Sequence, residues 1–307
     1  MILLCGIPSE SPLARVTEEL RALDVPSIVL NQRRFMEWDI AFQIDPDGVS
    51  GWLACDNLTY SLADFTGVYV RIMDDRDLPE YKAEQENSII RAICRGRHET
   101  LGRWLEITPA RVLNRAAAMA SNFSKPYQAQ LIAAAGFDLP PTLISNDPNQ
   151  VLAFRRKHGR IIFKSISSVR SIVRELTDNE LSNLDRIRWC PVQFQALIEG
   201  VNVRVHVVGN KIFATEIESE AVDYRYAHRE IGSAAELRAI DLPAKLAERC
   251  RLLAHSLDLP LAGIDLKRTS DGRVFCFEVN PSPGFTYYES RAGQPIARAI
   301  AEYLACS

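Results

Sequence analysis

The chain has 307 residues, 47% of them hydrophobic and 24% charged, enough to bury a large core as one domain or as two to three lobes. A net charge of −3 excludes the basic footprint of a nucleic-acid or anionic-membrane binder. Seven dispersed cysteines with no CxxC argue against a zinc site or a disulfide framework and fit a reducing, cytoplasmic setting.

The opening MILLCGIPSESPL lacks a basic leader, and its apolar run is too short for a signal peptide, so it reads as a strand. No segment reaches the roughly 18 apolar residues of a membrane span. Residues 1–108 read as an open α/β unit. Strands are predicted at Ile2–Ile7, Ser27–Leu30 and Gly67–Ile72, with a helix at Pro12–Leu23. Ile40–Asp45 and Gly51–Cys55 flank Asp47-Gly48 and resemble a hairpin, and a long helical pattern runs from about Tyr81 to Leu105. The Gly6 loop lacks GxGxxG, which argues against a dinucleotide site there.

Arg115 to about Gly136 is predicted as one helix, ended by Pro140-Pro141. An α+β segment follows: Pro141–Ser145, a helix near Pro148–His158, and strands at Ile161–Ser165, near Ser171–Leu176 and at Val192–Ile198. Val201–Val208 and Ile212–Ile217 form a second hairpin, then come a helix at Pro243–Ser256 and a final one at Gln294–Leu304.

The densest chemistry lies in GIDLKRTSDGRVFCFEVNPSPGF, two strands joined by Asp271-Gly272. With those two residues as the loop, Ser270 faces Arg273 and Asp265 faces Glu278. Alternation then brings Asp265, Glu278 and Asn280 to one face and Ile264, Leu266, Phe275, Phe277 and Val279 to the core face. Two carboxylates and an amide oxygen form an all-oxygen set that suits Mg²⁺. The solvated face of an amphipathic hairpin is the bland alternative, and the Asn-Pro-Ser-Pro-Gly loop directly after the carboxylate favours the metal.

Lys164 ends the apolar strand IIFKS, where it either snorkels to solvent or answers an anion such as phosphate. Ser165, Ser167, Ser168 and Ser171 after it are a weak match to a phosphate-covering loop. Asn202, Arg204 and His206 share one face of a strand whose valines take the other. Arg204 either steadies a transferring phosphate or lies on a solvated face, and His206 reads as a structural or surface residue.

Taken in order, Lys125, Lys164, Arg204, Asp265, Glu278 and Asn280 resemble the ATP-grasp superfamily of carboxylate–amine ligases, in its RimK-type branch. The chain looks most like the graspetide (microviridin-type) peptide macrocyclases. The likeness runs nearly end to end, through GVYVRI, LNRAAAMASNFSKPYQAQLIAAAGFDLPPTLISND, VNVRVHVVGNKIFATEIES and the hairpin. It implies an α/β (α+β) ATP-grasp fold, with an N-terminal open α/β pre-ATP-grasp domain over 1–110, a linker helix and central lobe over 111–198, and a C-terminal lobe with the metal site over 199–307.

By the same resemblance, Lys125 and Lys164 contact ATP phosphates, and Gln195, Ala196, Leu197 and Ile198 line the adenine hinge. Asn202 stands where relatives usually carry an acid for the ribose hydroxyls. Asp265, Glu278 and Asn280 hold Mg²⁺, expected as two ions. Arg204 steadies the γ-phosphate and acyl phosphate, and Arg225 engages the acceptor side. The implied chemistry is ATP-dependent activation of a carboxylate, on a peptide or protein, for attack by an amine or hydroxyl. No nucleic-acid or membrane partner is expected, and the resemblance leaves room for a homodimer. A small-molecule amino-acid or dipeptide ligase and a non-catalytic ATP-binding module are the competing readings.

Overall fold

The structure, a computed structural model, describes residues 1–165, 173–218 and 236–306. An apolar run with no alternation makes β1 (Ile2–Gly6) a fully buried central strand, followed by α1 (Ser11–Ala22) and β2 (Ser27–Asn31). A meander of β3 (Asp39–Asp45), β4 (Gly48–Cys55) and β5 (Leu58–Ser61) forms a separate antiparallel sheet. Its first turn pairs Asp45 with Gly48, so Pro46-Asp47 is the loop, one position before the expected pair.

The chain then returns as β6 (Gly67–Arg71), followed by α2 (Pro79–Lys82), α3 (Ile89–Ile107) and β7 (Arg111–Leu113). The first sheet has the order β2-β1-β6-β7, all parallel. The single helix expected over Tyr81–Leu105 is two helices. Ser88 breaks it by accepting a hydrogen bond from the Ile90 amide (3.1 Å), which starts a new helix.

The helix expected over Arg115–Gly136 is likewise divided, into α4 (Ala116–Met119), a 3-10 turn, and α5 (Lys125–Ala134). Ser124 caps α5 by accepting from the Tyr127 amide (3.4 Å), and Pro126 lacks the N–H that a first turn leaves unsatisfied. The central lobe consists of β8 (Thr142–Ser145), α6 (Pro148–His158), β9 (Ile161–Ser165), β10 (Arg174–Glu175), α7 (Asp178–Leu181) and β11 (Val192–Ala196). Its antiparallel sheet, β10-β9-β11-β8, packs on Val151, Ile161, Leu176 and Phe194.

The last sheet is antiparallel, β14-β13-β12-β15-β16. It is built from β12 (Val201–Val208), β13 (Lys211–Glu218), β14 (Glu236–Ile240), then, after α8 (Ala244–Ser256), β15 (Leu261–Arg268) and β16 (Val274–Asn280). Val203, Val205 and Val207 meet Ile264, Leu266, Cys276 and Val279 against Leu253 and Ala254 of α8. The opposite face of β12 is not solvated. Arg204 is 5% exposed and His206 is fully buried, covered by Tyr288 of α9 (Thr286–Ala292), a helix the periodicity did not mark.

The last helix, α10 (Ile296–Ala305), puts Ile296, Ile300 and Leu304 into one core with Leu4, Leu13 and Leu20, so the end of the chain is knitted to its beginning. All seven cysteines are free thiols. Among the described residues no helix is long and apolar enough to cross a membrane.

Candidate active site

The site is built on the β15–β16 hairpin. Thr269 N donates to Arg273 O (3.0 Å), so the loop is the three residues Ser270, Asp271 and Gly272, with Gly272 at φ +85°. That shifts the pairing by one residue relative to a two-residue turn: Leu266 faces Cys276, and Arg268 faces Val274. A β-bulge at Phe277 then restores the register, so that Asp265 faces Glu278 and Gly263 faces Asn280. The bulge also corrects the expected core face. Cys276 is the fully buried core residue, and Phe277 turns into the cleft beside Glu278.

Each carboxylate is held by a cation from elsewhere in the chain. Lys125 Nζ, in the first turn of α5, lies 2.5 Å from Glu278 Oε2. Arg204 Nη1, on β12 directly across from Asp265, lies 2.6 Å from Asp265 Oδ1. The Arg204 guanidinium also sits 5.6 Å from the Tyr288 ring centre. Gly263 is what lets it lie there: a Cβ at that position would run into the guanidinium and come within 2.8 Å of Pro283 Cβ. Beneath it, burial holds the His206 imidazole far below its usual pKa, and the Arg204 charge adds to the effect.

Three further side chains, of which Gln128 and Asn114 were given no role in the sequence reading, fix the backbone that carries these groups. Gln128, one turn after Lys125 on α5, donates to Val279 O (2.9 Å) and accepts from Val279 N (3.0 Å), clamping the residue between Glu278 and Asn280. Asn114 donates to Leu261 O (2.6 Å) and Pro281 O (2.5 Å) and accepts from Leu261 N (3.2 Å). Arg71 Nε reaches both oxygens of Glu10 at 3.0 Å while its Nη1 donates to Ser282 Oγ (2.7 Å), tying the end of β6 to the loop after Asn280. The i,i+3 spacing of Lys125 and Gln128 was the one local signal for any of these contacts.

The cleft lies between the central and last sheets. Ile162, Lys164, Gln195, Leu197 and Ile198 line one wall; Asn202, Asp265, Lys267, Phe277 and Glu278 line the other. Lys164 and Gln195 also border an adjoining pocket that contains Lys125. Ala196 points away from the cleft lining, into the lobe, where its backbone N–H donates to Pro141 O (2.9 Å). Asn280 Oδ1 accepts from Ser282 N (2.9 Å), which positions the side chain and leaves its oxygen a second lone pair. Arg225, together with Ser167, Ser168 and Ser171, lies outside the described residues.

Gln195 has a defined polarity. Thr142 Oγ1 donates to Pro140 O (2.8 Å), so it meets Gln195 Nε2 (3.0 Å) as an acceptor. Gln195 Oε1, buried and with no partner among the described residues, is left as an acceptor at the cleft. Such an atom suits a ligand N–H, as on an adenine amine. At the other end, no group of three or more His, Cys, Asp or Glu side chains gathers among the described residues. Two facing carboxylates without a full protein cage match the way Mg²⁺ is held, by one or two carboxylates plus substrate phosphates.

Comparison with known proteins agrees with this geometry. The RimK-like ATP-grasp domain model matches residues 123–304. A probable alpha-L-glutamate ligase of Xylella fastidiosa (strain M12) is 28% identical over 192 residues, 57% of this chain. The match spans 60% of that relative's length. The macrocyclase MdnC of Microcystis aeruginosa MRC, solved with precursor peptide MdnA, superposes over all of both chains with a TM-score of 0.81 at 23% identity. The ATP-grasp ligase PsnB, solved with a phosphomimetic variant of its minimal precursor, Mg and ADP, gives 0.78 at 27% identity over 99% of this chain and 97% of its own. The matched stretch begins just before Lys125, runs past Asn280 and takes in more than half of the chain, which has the ATP-grasp fold and belongs to the RimK-like ATP-grasp family.

Proposed function

We propose that this protein is an ATP-dependent ligase that activates a carboxylate as an acyl phosphate for attack by an amine or hydroxyl, with a peptide or protein side chain as one partner. The observation that carries the proposal is the pair of facing carboxylates, Asp265 and Glu278, each gripped by a cation from a different element at the mouth of a cleft with a free buried acceptor. The peptide partner is supported by end-to-end superposition on ligases solved with their precursor peptides.

In the reaction, a carboxylate oxygen of the substrate attacks the γ-phosphorus and ADP leaves. The amine or hydroxyl then attacks the acyl carbon, loses its proton, and inorganic phosphate departs. Gln195, Leu197, Ile198 and Asn202 hold the nucleoside; Lys125 and Lys164 take the phosphates. Arg204, fixed between Asp265 and the Tyr288 ring, stabilises the oxygens where charge develops. Asp265, Glu278 and Asn280 would hold Mg²⁺, which would supply charge neutralisation for the phosphates. Arg225 is assigned to the acceptor side. The division at 110 and 198 assigns the first unit to substrate and the two lobes to nucleotide. A cytoplasmic protein with room for a homodimer and without nucleic-acid or membrane partners completes the reading, in keeping with its free thiols.

The test is ADP release with candidate peptides and mass analysis of the product. Loss of one water from a single peptide marks macrocyclisation, and gain of a residue marks ligation of the kind the glutamate-ligase relative's name describes. Glu278→Ala abolishes ADP formation while the far-ultraviolet spectrum stays native. Full turnover by that variant with Mg²⁺ overturns the assignment of the site.

A further inference from the structure

Lys267 is a cation in the cleft that the reaction above does not use. It sits two residues beyond Asp265 on β15, across from Asn202, and lines the cleft with Leu197, Ile198 and Phe277. Its Nζ stands 6.0 Å from the centre of the Phe277 ring, the residue that the bulge turns out of the core. No carboxylate lies within salt-bridge reach of it among the described residues. The side chain is half-buried against the cleft.

A snorkelling lysine would reach for solvent or for a free anion. Glu199 does not draw it out, being 79% exposed and engaged with Arg160 at 3.1 Å. A half-buried ammonium beside a flat aromatic ring, with a buried amide acceptor on the opposite wall, matches the outline of a purine nucleoside. The base can stack on Phe277 while Gln195 takes an amine.

We propose that Lys267 is a specificity-determining residue of the nucleotide cleft: its ammonium donates to an uncharged acceptor on the nucleoside, a ring nitrogen or a ribose oxygen, above the Phe277 ring. The proposal rests on the reading of this cleft as an ATP site. It makes nucleoside recognition here cationic on one wall and amide on the other.

The experiment measures binding of ATP, adenosine and 2′,3′-dideoxyadenosine to the whole protein and to Lys267→Met and Lys267→Arg. Methionine keeps the apolar stem and removes the charge. Lys267→Met is expected to weaken ATP and adenosine by the same factor, about tenfold, as loss of one charge-assisted hydrogen bond would. Lys267→Arg recovers most of it. An equal loss for the dideoxynucleoside assigns the contact to the base, and a smaller loss assigns it to the ribose. Adenosine affinity unchanged by Lys267→Met, or a loss confined to ATP, overturns the proposal while leaving the ATP site standing. Failure of the unaltered protein to bind ATP overturns both.

Discussion

Replacing Gln128 tests whether the active-site strand is held in place from outside its own sheet. Gln128 is 1% exposed and makes two hydrogen bonds to a single residue, Val279, whose neighbours Glu278 and Asn280 carry the proposed metal contacts. β16 is the edge strand of its sheet; on its outer side Asp138 bonds at Val274 and Cys276, which leaves Val279 without a strand neighbour there. The Gln128 carboxamide therefore acts as the missing neighbour at that point. Gln128→Leu keeps the volume, so it leaves no large cavity, and removes both partners from a buried N–H and C=O. Each orphaned group costs about 1–3 kcal/mol, so the variant is expected to be less stable by about 2–6 kcal/mol.

Urea unfolding followed by circular dichroism measures this change. Because Glu278 and Asn280 lose their common anchor, ADP formation in the native baseline should also fall by about tenfold or more, as displacement of a positioned group by an ångström does. A loss of stability under about 0.5 kcal/mol would place the variant among ordinary surface substitutions and refute the reasoning. So would full activity in a destabilised protein, because the clamp would then serve the fold alone.

Lys164→Met should weaken ATP binding about tenfold with little effect on stability, read by direct titration; unchanged affinity removes Lys164 from the phosphate contacts. Gly263→Ala drives a methyl group into the Arg204 guanidinium and should cost about 1–3 kcal/mol of overpacking. Its effect on turnover should exceed its effect on ATP affinity, since Arg204 acts on developing charge; equal effects on both would show a general distortion of the cleft. His206 gives a pH signature. Its folded pKa is depressed, so the native state stays neutral while the unfolded chain takes up a proton as pH falls below about 6.5. Stability contributed by this group is therefore complete above that pH and is lost on acidification, by up to about 1.4 kcal/mol per pH unit. Partly buried His98 adds a slope of the same sign. Unfolding at pH 7.5 and 5.5 should show His206→Gln with the shallower dependence, and identical slopes would contradict the buried neutral imidazole.

Legibility in the sequence followed the range of the forces involved. Strands β1, β9 and β12 and helix α6 were marked at or near their observed bounds because burial on one or both faces writes its period directly into neighbouring residues. The two long helices were over-extended for the same reason. Helical period continues smoothly across Ser88 and Ser124, and only the side-chain caps, one hydrogen bond each, show that the axis has ended. α9 was missed because it is short and its buried face is chiefly Tyr288, set against Arg204 and His206 from a strand about 80 residues earlier. Contacts across such separations leave no local pattern. Asn114 on Pro281 and Arg71 on Ser282 are of the same kind.

The hairpin shows why the expected carboxylate pair was found despite an incorrect path to it. A two-residue loop and an unbroken ladder place Asp265 opposite Glu278. The observed three-residue loop moves the register by one, and the bulge at Phe277 moves it back. These departures cancel only beyond the bulge. Residues between it and the turn sit one step from their expected partners, so Cys276 takes the core position and Phe277 is released to the cleft. With the observed loop and no bulge, the ladder would pair Asp265 with Phe277 and turn Glu278 to the core side. The bulge thus sets both carboxylates face to face while the Phe277 ring stays in the cleft beside them. A geometric requirement of this kind explains an irregularity in an otherwise regular edge strand better than any local preference of the residues that form it.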